Sequence, residues 1–344
     1  MFGERLERAR RAAGLSLREV AAETGLSHTA IRKWEKNQLK PSSSQLIKLA
    51  RLFGVRIEYF FRPQRVRLEA VEYRKHSTAS KKVLTKVQAD VLDQAERWQE
   101  LLALFPQRPI PSFKLPEALP ERFESVAQLD EAATTLRRAW NLGLNPIPDL
   151  IDTLESQGLM VIVTGADESG RVDGMAGRID DVPFVVVSSH RPGDRQRLTL
   201  GHELGHLVLH GRMTPELLAE GAPGKSEDAA EEMLCHRFAG AFLLPAQALV
   251  ERLGAHRTRL EVKELLLLKH EFGLSMQACL YRALQAGVIS RAVHAQLLSF
   301  SVNPVGARRN RANRIHPNRP PCSNSSSTVR WARTTSASRR PPSY

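Results

Sequence analysis

Residues 195–210 read RQRLTLGHELGHLVLH, and the reading of this run decides the fold of most of the chain. It is an apolar helix, centred on 199–210, interrupted by polar residues at informative places. His202 and His206 are one turn apart and share a helix face, so both imidazoles can reach a single ion. Glu203 is adjacent in angle and suits a base that holds an attacking water. Two imidazoles and a carboxylate are costly to bury in an apolar helix without a partner. The surroundings supply cover for that helix. Strands are expected at 159–163 (LMVIV), 172–178 and 183–188, within the apolar run VPFVVVSS. Helices are expected at about 125–140, from Pro146 to Gly158, at 227–243 ending before Pro245, and at about 260–271 and 275–287 with Gly273 between them. Together they make an α+β domain spanning 121–296.

A zinc site on this helix needs a third protein ligand from elsewhere. His210 repeats the spacing but lies about 12 Å along the axis from His202 on a straight helix. The longer metzincin motif requires a glycine and a third histidine where this chain has Leu209 and Arg212. The acidic helix after Ser226 offers Glu227, Asp228, Glu231, Glu232, Cys235 and His236. Glu232 and His236 share a face, and spacing alone leaves the choice between them open.

Working outward, residues 1–63 read as five short helices. The first covers 3–13, with Leu6 and Ala9 on one face, and ends at Gly14. Ser16 and Glu19 form a capping box for the second, which stops at Thr24-Gly25. Ser27 opens the third, His28 to Lys36, and Pro41 breaks the chain before a fourth at 43–53. A helix at 17–23, a turn at 24–27 and a helix at 28–36 have helix-turn-helix spacing. Val20, Ala21, Leu26, Ile31 and Leu46 can fill its small core. His28, Thr29, Arg32 and Lys33 then face a major groove, with Ser27 at the helix start and Arg18, Lys36 and Lys40 placed for phosphates. Trp34 reads as packing rather than as a base reader.

Charge agrees with this assignment. The chain carries a net charge of +13, and the surplus sits at its two ends. Residues 1–63 hold thirteen Lys/Arg against six Asp/Glu, and residues 297–344 hold nine Arg and no acid. A basic head suits a polyanion. Residues 64–120 are expected to be a helical linker, with a helix at 85–104 and a Pro-rich end. Residues 297–344 are rich in Arg, Ser and Pro without periodicity and are expected to be a disordered tail. Three cysteines are too few for a disulfide framework, the start lacks an apolar signal segment, and no run approaches a membrane span. The expected compartment is the cytoplasm, with no membrane partner.

Two resemblances sharpen these readings. LSLREVAAETGLSHTAIRKWEKNQLKPSSSQLIKLARLFGV closely resembles the lambda-repressor/Cro-like (Xre) helix-turn-helix family, with Trp34-Glu35 and Pro41-Ser42 at the family's characteristic pairs and Leu17 where a glutamine is common. RQRLTLGHELGHLVLH followed by EEMLCHRFAGAFLLP resembles the ImmA/IrrE metallopeptidases, whose pattern is R-F-T-x-A-H-E-x-G-H-x-x-x-H and then E-x-E-A-N-x-F-A-x-x-L-L-M-P. The family's first glutamate falls on Glu232. Departures include Leu198, Gly201, Leu234, and Cys235-His236 in place of Ala-Asn. This resemblance implies a gluzincin-like peptidase domain, with Zn2+ held by His202, His206 and Glu232 and Glu203 as acid–base catalyst. Arg197, His270 and Tyr281 are candidate oxyanion donors. It also implies a protein substrate such as a helix-turn-helix repressor. The helix-turn-helix resemblance implies a double-stranded DNA operator. A homodimer is expected, because one recognition helix reads few base pairs, and the helix at 85–104 is a candidate for its contact. The expected fold is therefore multidomain: an all-α helix-turn-helix bundle, then an α+β gluzincin-like metallopeptidase domain, then a disordered basic tail. The alternative is a non-enzymatic regulator or antitoxin-like protein whose peptidase-like domain acts as a metal-bound sensor or dimerisation module.

Overall fold

A computed structural model describes residues 2–62, 68–72, 79–167, 170–180 and 182–302. The head is a bundle of α1 (Phe2–Ala12), α2 (Leu17–Thr24), α3 (His28–Glu35) and α4 (Ser43–Phe53), closed by a 3-10 turn at Ile57–Phe61. Local signals set its boundaries. Glu19 N–H donates to Ser16 Oγ at 3.2 Å, and Ser16 N–H donates back to Glu19 Oε2 at 2.6 Å. Ser42 and Gln45 repeat the device at the start of α4. Gly25 ends α2 at φ 68°, a left-handed conformation that costs glycine nothing. Ser27 holds the N-cap position of α3 but makes no capping hydrogen bond through its side chain. Leu6, Val20, Ile31, Trp34, Leu49 and Phe60 form the core. Glu35, next to the buried Trp34, accepts two bonds from Arg10, at 2.6 and 3.0 Å, and ties α3 to α1.

The second unit is built on a four-stranded sheet of order β1-β3-β4-β2, with β1 (Leu68–Glu72), β2 (Met160–Thr164), β3 (Gly174–Ile179) and β4 (Val182–Ser188). β2 runs parallel to β4, while β3 is antiparallel to β4 and to β1. Alternation along β4 splits the cores. Phe184 and Val186 join a cluster with Val87, Val91 and Ala95 of α5 (Lys81–Leu102). Val185 and Val187 join the main core with Leu200, Leu204 and Val208 of α8 (Gly193–Leu209). A strand covered on both faces reads as a continuous apolar run, which is why VPFVVV shows no polar alternation.

The main core is completed by α6 (Val126–Ala139), α7 (Leu150–Ser156), α9 (Pro215–Gly221), α10 (Glu227–Leu243), α11 (Ala246–Leu253), α12 (Val262–Phe272), α13 (Met276–Gln285) and α14 (Arg291–Val302). The packing of α8 against α10 positions the site. A glycine inside a helix costs about 1 kcal/mol relative to alanine, yet α8 has two facing α10. A Cβ on Gly205 would lie 3.1 Å from the backbone oxygen of Cys235, and one on Gly201 would lie 3.1 Å from Leu243 Cδ1. The glycines let the two backbones approach.

Two expectations need correction. Residues 64–120 are not a simple linker: β1 extends the sheet, α5 covers one face of it, and in the Pro-rich stretch Ile110 and Leu119 are buried. Pairing with a distant strand creates β1, and the local pattern carries no sign of it. The tail does not begin at 297 either. α14 continues to Val302, and Leu297 and Leu298 pack against the main core. The rest of the expected basic tail, from 303 onward, lies outside the described residues. No single helix among the described residues is long and apolar enough to cross a membrane.

Candidate metal centre and nucleic-acid face

His202, on the inner face of α8, is 1% exposed, and one turn later His206 lies at the rim of the same cluster. Across the Gly205 contact, α10 brings in Glu232. His202 Nε2 is 3.1 Å from His206 Nε2 and 3.2 Å from Glu232 Oε2, and His206 Nε2 is 3.4 Å from Glu232 Oε1. Bonds of about 2.0–2.1 Å to a tetrahedral ion put donor atoms about 3.3 Å apart. The two imidazole nitrogens stand close to that spacing, and each has one of the two Glu232 oxygens at a similar distance. The cluster also favours positive charge. Burial opposes protonation of His206, but its bonds to Cys235, Glu231 and Glu232 outweigh burial and raise its pKa to about 12.

The other ring nitrogen of His206 is held from behind. Its Nδ1 lies 3.5 Å from Glu231 Oε1 and 3.5 Å from Cys235 Sγ, and Glu231 Oε1 is also 3.0 Å from His210 Nδ1. Such contacts fix ring orientation and leave Nε2 for an ion. The hydrogen bond from His206 lowers the pKa of Glu231. His210 therefore joins a supporting network through Glu231 and does not face the ion position. Cys235 approaches His206 on the side away from Nε2, while Glu227 and Asp228 lie exposed in the first turn of α10. His236 comes closer than any of these. Its ring centroid is 4.0 Å from that of His202, and His202, Glu232 and His236 each offer a donor atom within 4.8 Å of the others.

Glu203 is 1% exposed and points toward β3. A Cβ on Gly174 would lie 2.9 Å from Glu203 Oε1, 2.4 Å from Thr199 Cγ2 and 2.8 Å from Val186 O, so only glycine leaves room for the carboxylate. Of the candidate oxyanion donors, Arg197 is buried and donates to Ile147 O at 2.7 Å, beneath Gly273. Burial lowers its pKa to about 10. Those contacts give it a structural place in the core. His270 is half-buried on α12. Tyr281 lines a cavity of about 510 Å³ together with Leu198, Met233, His236, Leu274 and Gln285. Glu231, which the sequence offered only as one possible ligand, and Gly174, which it did not single out, are the supporting residues. His210, one turn beyond His206, was the available hint of the first.

In the head, Arg18, Ser27, His28, Thr29, Arg32, Lys33, Lys36 and Lys40 are all exposed, on or beside α2 and α3. Trp34 is 3% exposed and belongs to the core. The basic side chains thus share the surface of the helix pair that would meet a duplex.

Comparison with known proteins agrees with both geometries. Residues 155–284 match the family described as the IrrE N-terminal-like domain, a peptidase family, and residues 6–60 match the helix-turn-helix family. The HTH-type transcriptional regulator PuuR of Escherichia coli (strain K12) is 39% identical over 59 residues, 17% of this chain and 32% of that protein. The regulator of the same name from Shigella flexneri gives the same identity over the same share. The chain thus spans about a third of the length of these relatives. The molecule joins an N-terminal DNA-binding helix-turn-helix domain to an IrrE/ImmA-like metallopeptidase domain bearing a candidate metal-binding cluster.

Proposed function

We propose that the chain is a DNA-bound, zinc-dependent endopeptidase of the cytoplasm that cleaves a protein substrate carrying a helix-turn-helix, such as a repressor. The observation that carries this reading is the convergence of His202 Nε2, His206 Nε2 and Glu232 at mutual distances of 3.1–3.4 Å. Two nitrogens and a carboxylate are the donor set of a catalytic zinc site that keeps a position open. Zinc held there supplies Lewis acidity, acidifying a water and polarising a peptide carbonyl. Glu203, from the turn between the two histidines, accepts the water's proton on its carboxylate and passes it to the leaving amine. Its burial against Gly174 keeps the carboxylate oriented and shielded from bulk solvent. The cavity lined by Leu198, Met233 and Tyr281 suits an apolar substrate side chain. The head would hold the enzyme at an operator, and a homodimer would let two recognition helices read two half-sites.

The test compares full-length protein with Glu203→Gln against a purified helix-turn-helix repressor, following cleavage by mass spectrometry and zinc content in parallel. The expected outcome is cleavage by the parent, none by the variant, and equal zinc in both. One observation favours a second reading, a metal-responsive regulator without turnover. Arg5 and Arg8 of the head are buried against Glu96 of α5, which packs on the sheet and so couples the two units. Zinc bound with no cleavage by either form would select that reading.

A further inference from the structure

The spacing that identifies His202, His206 and Glu232 leaves His236 unexplained. It lies one turn beyond Glu232 on the same face of α10, and its ring centroid is 4.0 Å from that of His202 at a tilt of 46°. Its donor atom is within 4.8 Å of those of both His202 and Glu232. A tetrahedral ion needs donors about 3.3 Å apart, so a rotation of this side chain covers the difference. The ring sits at the exposed mouth of the cluster, and turning it changes only its own χ angles. On its other side it lines the cavity of about 510 Å³ shared with Leu198, Met233 and Tyr281.

We infer that His236 is a fourth protein ligand, which closes the coordination sphere in the resting chain and leaves it by turning into the adjacent cavity. Three imidazoles and one carboxylate satisfy a tetrahedral ion completely, the arrangement of closed sites rather than catalytic ones. The resting enzyme is then latent. A substrate side chain and the His236 ring compete for the same cavity wall, so engagement of substrate bears directly on whether the fourth position is open. This inference rests on the zinc reading above and adds a mode of regulation to it.

The experiment strips metal from the full chain with a chelator and reloads it with one equivalent of Co2+. Visible absorption is recorded with and without azide, which binds only where a coordination position is open to solvent. Zinc affinity is measured separately by competition with a chromogenic chelator. The parent is expected to give a spectrum that azide does not alter. His236→Ala and His236→Asn are expected to give azide-sensitive spectra and zinc binding weakened about tenfold or more. Circular dichroism of the metal-free proteins identifies any variant that fails to fold, and the remaining variant then carries the comparison. If azide alters the parent as it alters the variants, or if affinity is unchanged, His236 is not a ligand, while the three-ligand site stands. If the parent takes up no Co2+, or takes it up equally after His202→Ala and His206→Ala are combined, the zinc reading itself falls and this inference with it.

Discussion

At the scale of single residues, the candidate site depends as much on absent side chains as on present ones. Gly174 is the clearest case, because its missing Cβ is the space that Glu203, Thr199 and the β4 backbone share. Gly174→Ala should destabilise the protein by about 1–3 kcal/mol through overpacking and displace the Glu203 carboxylate. Urea unfolding and hydrolytic activity would both fall, whereas a midpoint equal to the parent's would show that the strand yields freely. His202, Glu203 and His206 were legible in the sequence because a helix puts chemically meaningful residues at fixed offsets. Glu232 came from the resemblance, since spacing on α10 left it level with His236. The supporting roles of Glu231 and Gly174 were not legible, because they arise only where α10 and β3 meet α8, contacts that no local pattern encodes.

At the scale of elements, the helices with complete punctuation were read closely. Ser226 and Pro245 bracket α10, and Ser16 with Gly25 bracket α2, so those boundaries are written in their caps. β1, α9 and α11 went unread, because a five-residue edge strand and short helices have too few residues to show a period. Helix α7 carries a pH dependence of its own. Burial, reinforced by the nearby charges of Asp152 and Asp149, raises the pKa of Glu155 from 4.5 to about 7. The folded state therefore holds this proton more tightly than the unfolded chain. The resulting stabilisation is complete below about pH 4.5 and is lost as pH rises through about 7. Glu155→Gln stays neutral throughout. It should match the parent in acid and exceed it by about 3 kcal/mol at pH 8, seen as a higher Tm; melting curves with a constant separation at every pH would contradict this.

At the scale of the whole molecule, α5 is the strut between the helix-turn-helix head and the peptidase-like domain. One face carries Val87, Val91 and Ala95 onto the sheet, and another offers Glu96 to Arg5 and Arg8 and Asp93 to Tyr59. Those faces are occupied within the chain, while Leu101, Leu104 and Phe105 around the C-terminal end of the helix are exposed. Glu96→Ala would leave the buried Arg5 guanidinium without its carboxylate and Arg8 with the longer Asp93 contact at 3.7 Å, at a cost of about 3–5 kcal/mol. Calorimetry should then show the head melting ahead of the peptidase domain, whereas an unchanged transition would mean that the ion pairs do not couple the two. The central claim for the molecule is that one ion is held between α8 and α10. Its most direct test is the zinc content of the purified full chain beside that of the double variant His202→Ala/His206→Ala, which removes both α8 donors, measured by mass spectrometry of the metal. About one zinc per chain is expected in the parent and a small fraction of that in the variant; a parent without zinc, or a variant that retains it in full, would contradict the claim.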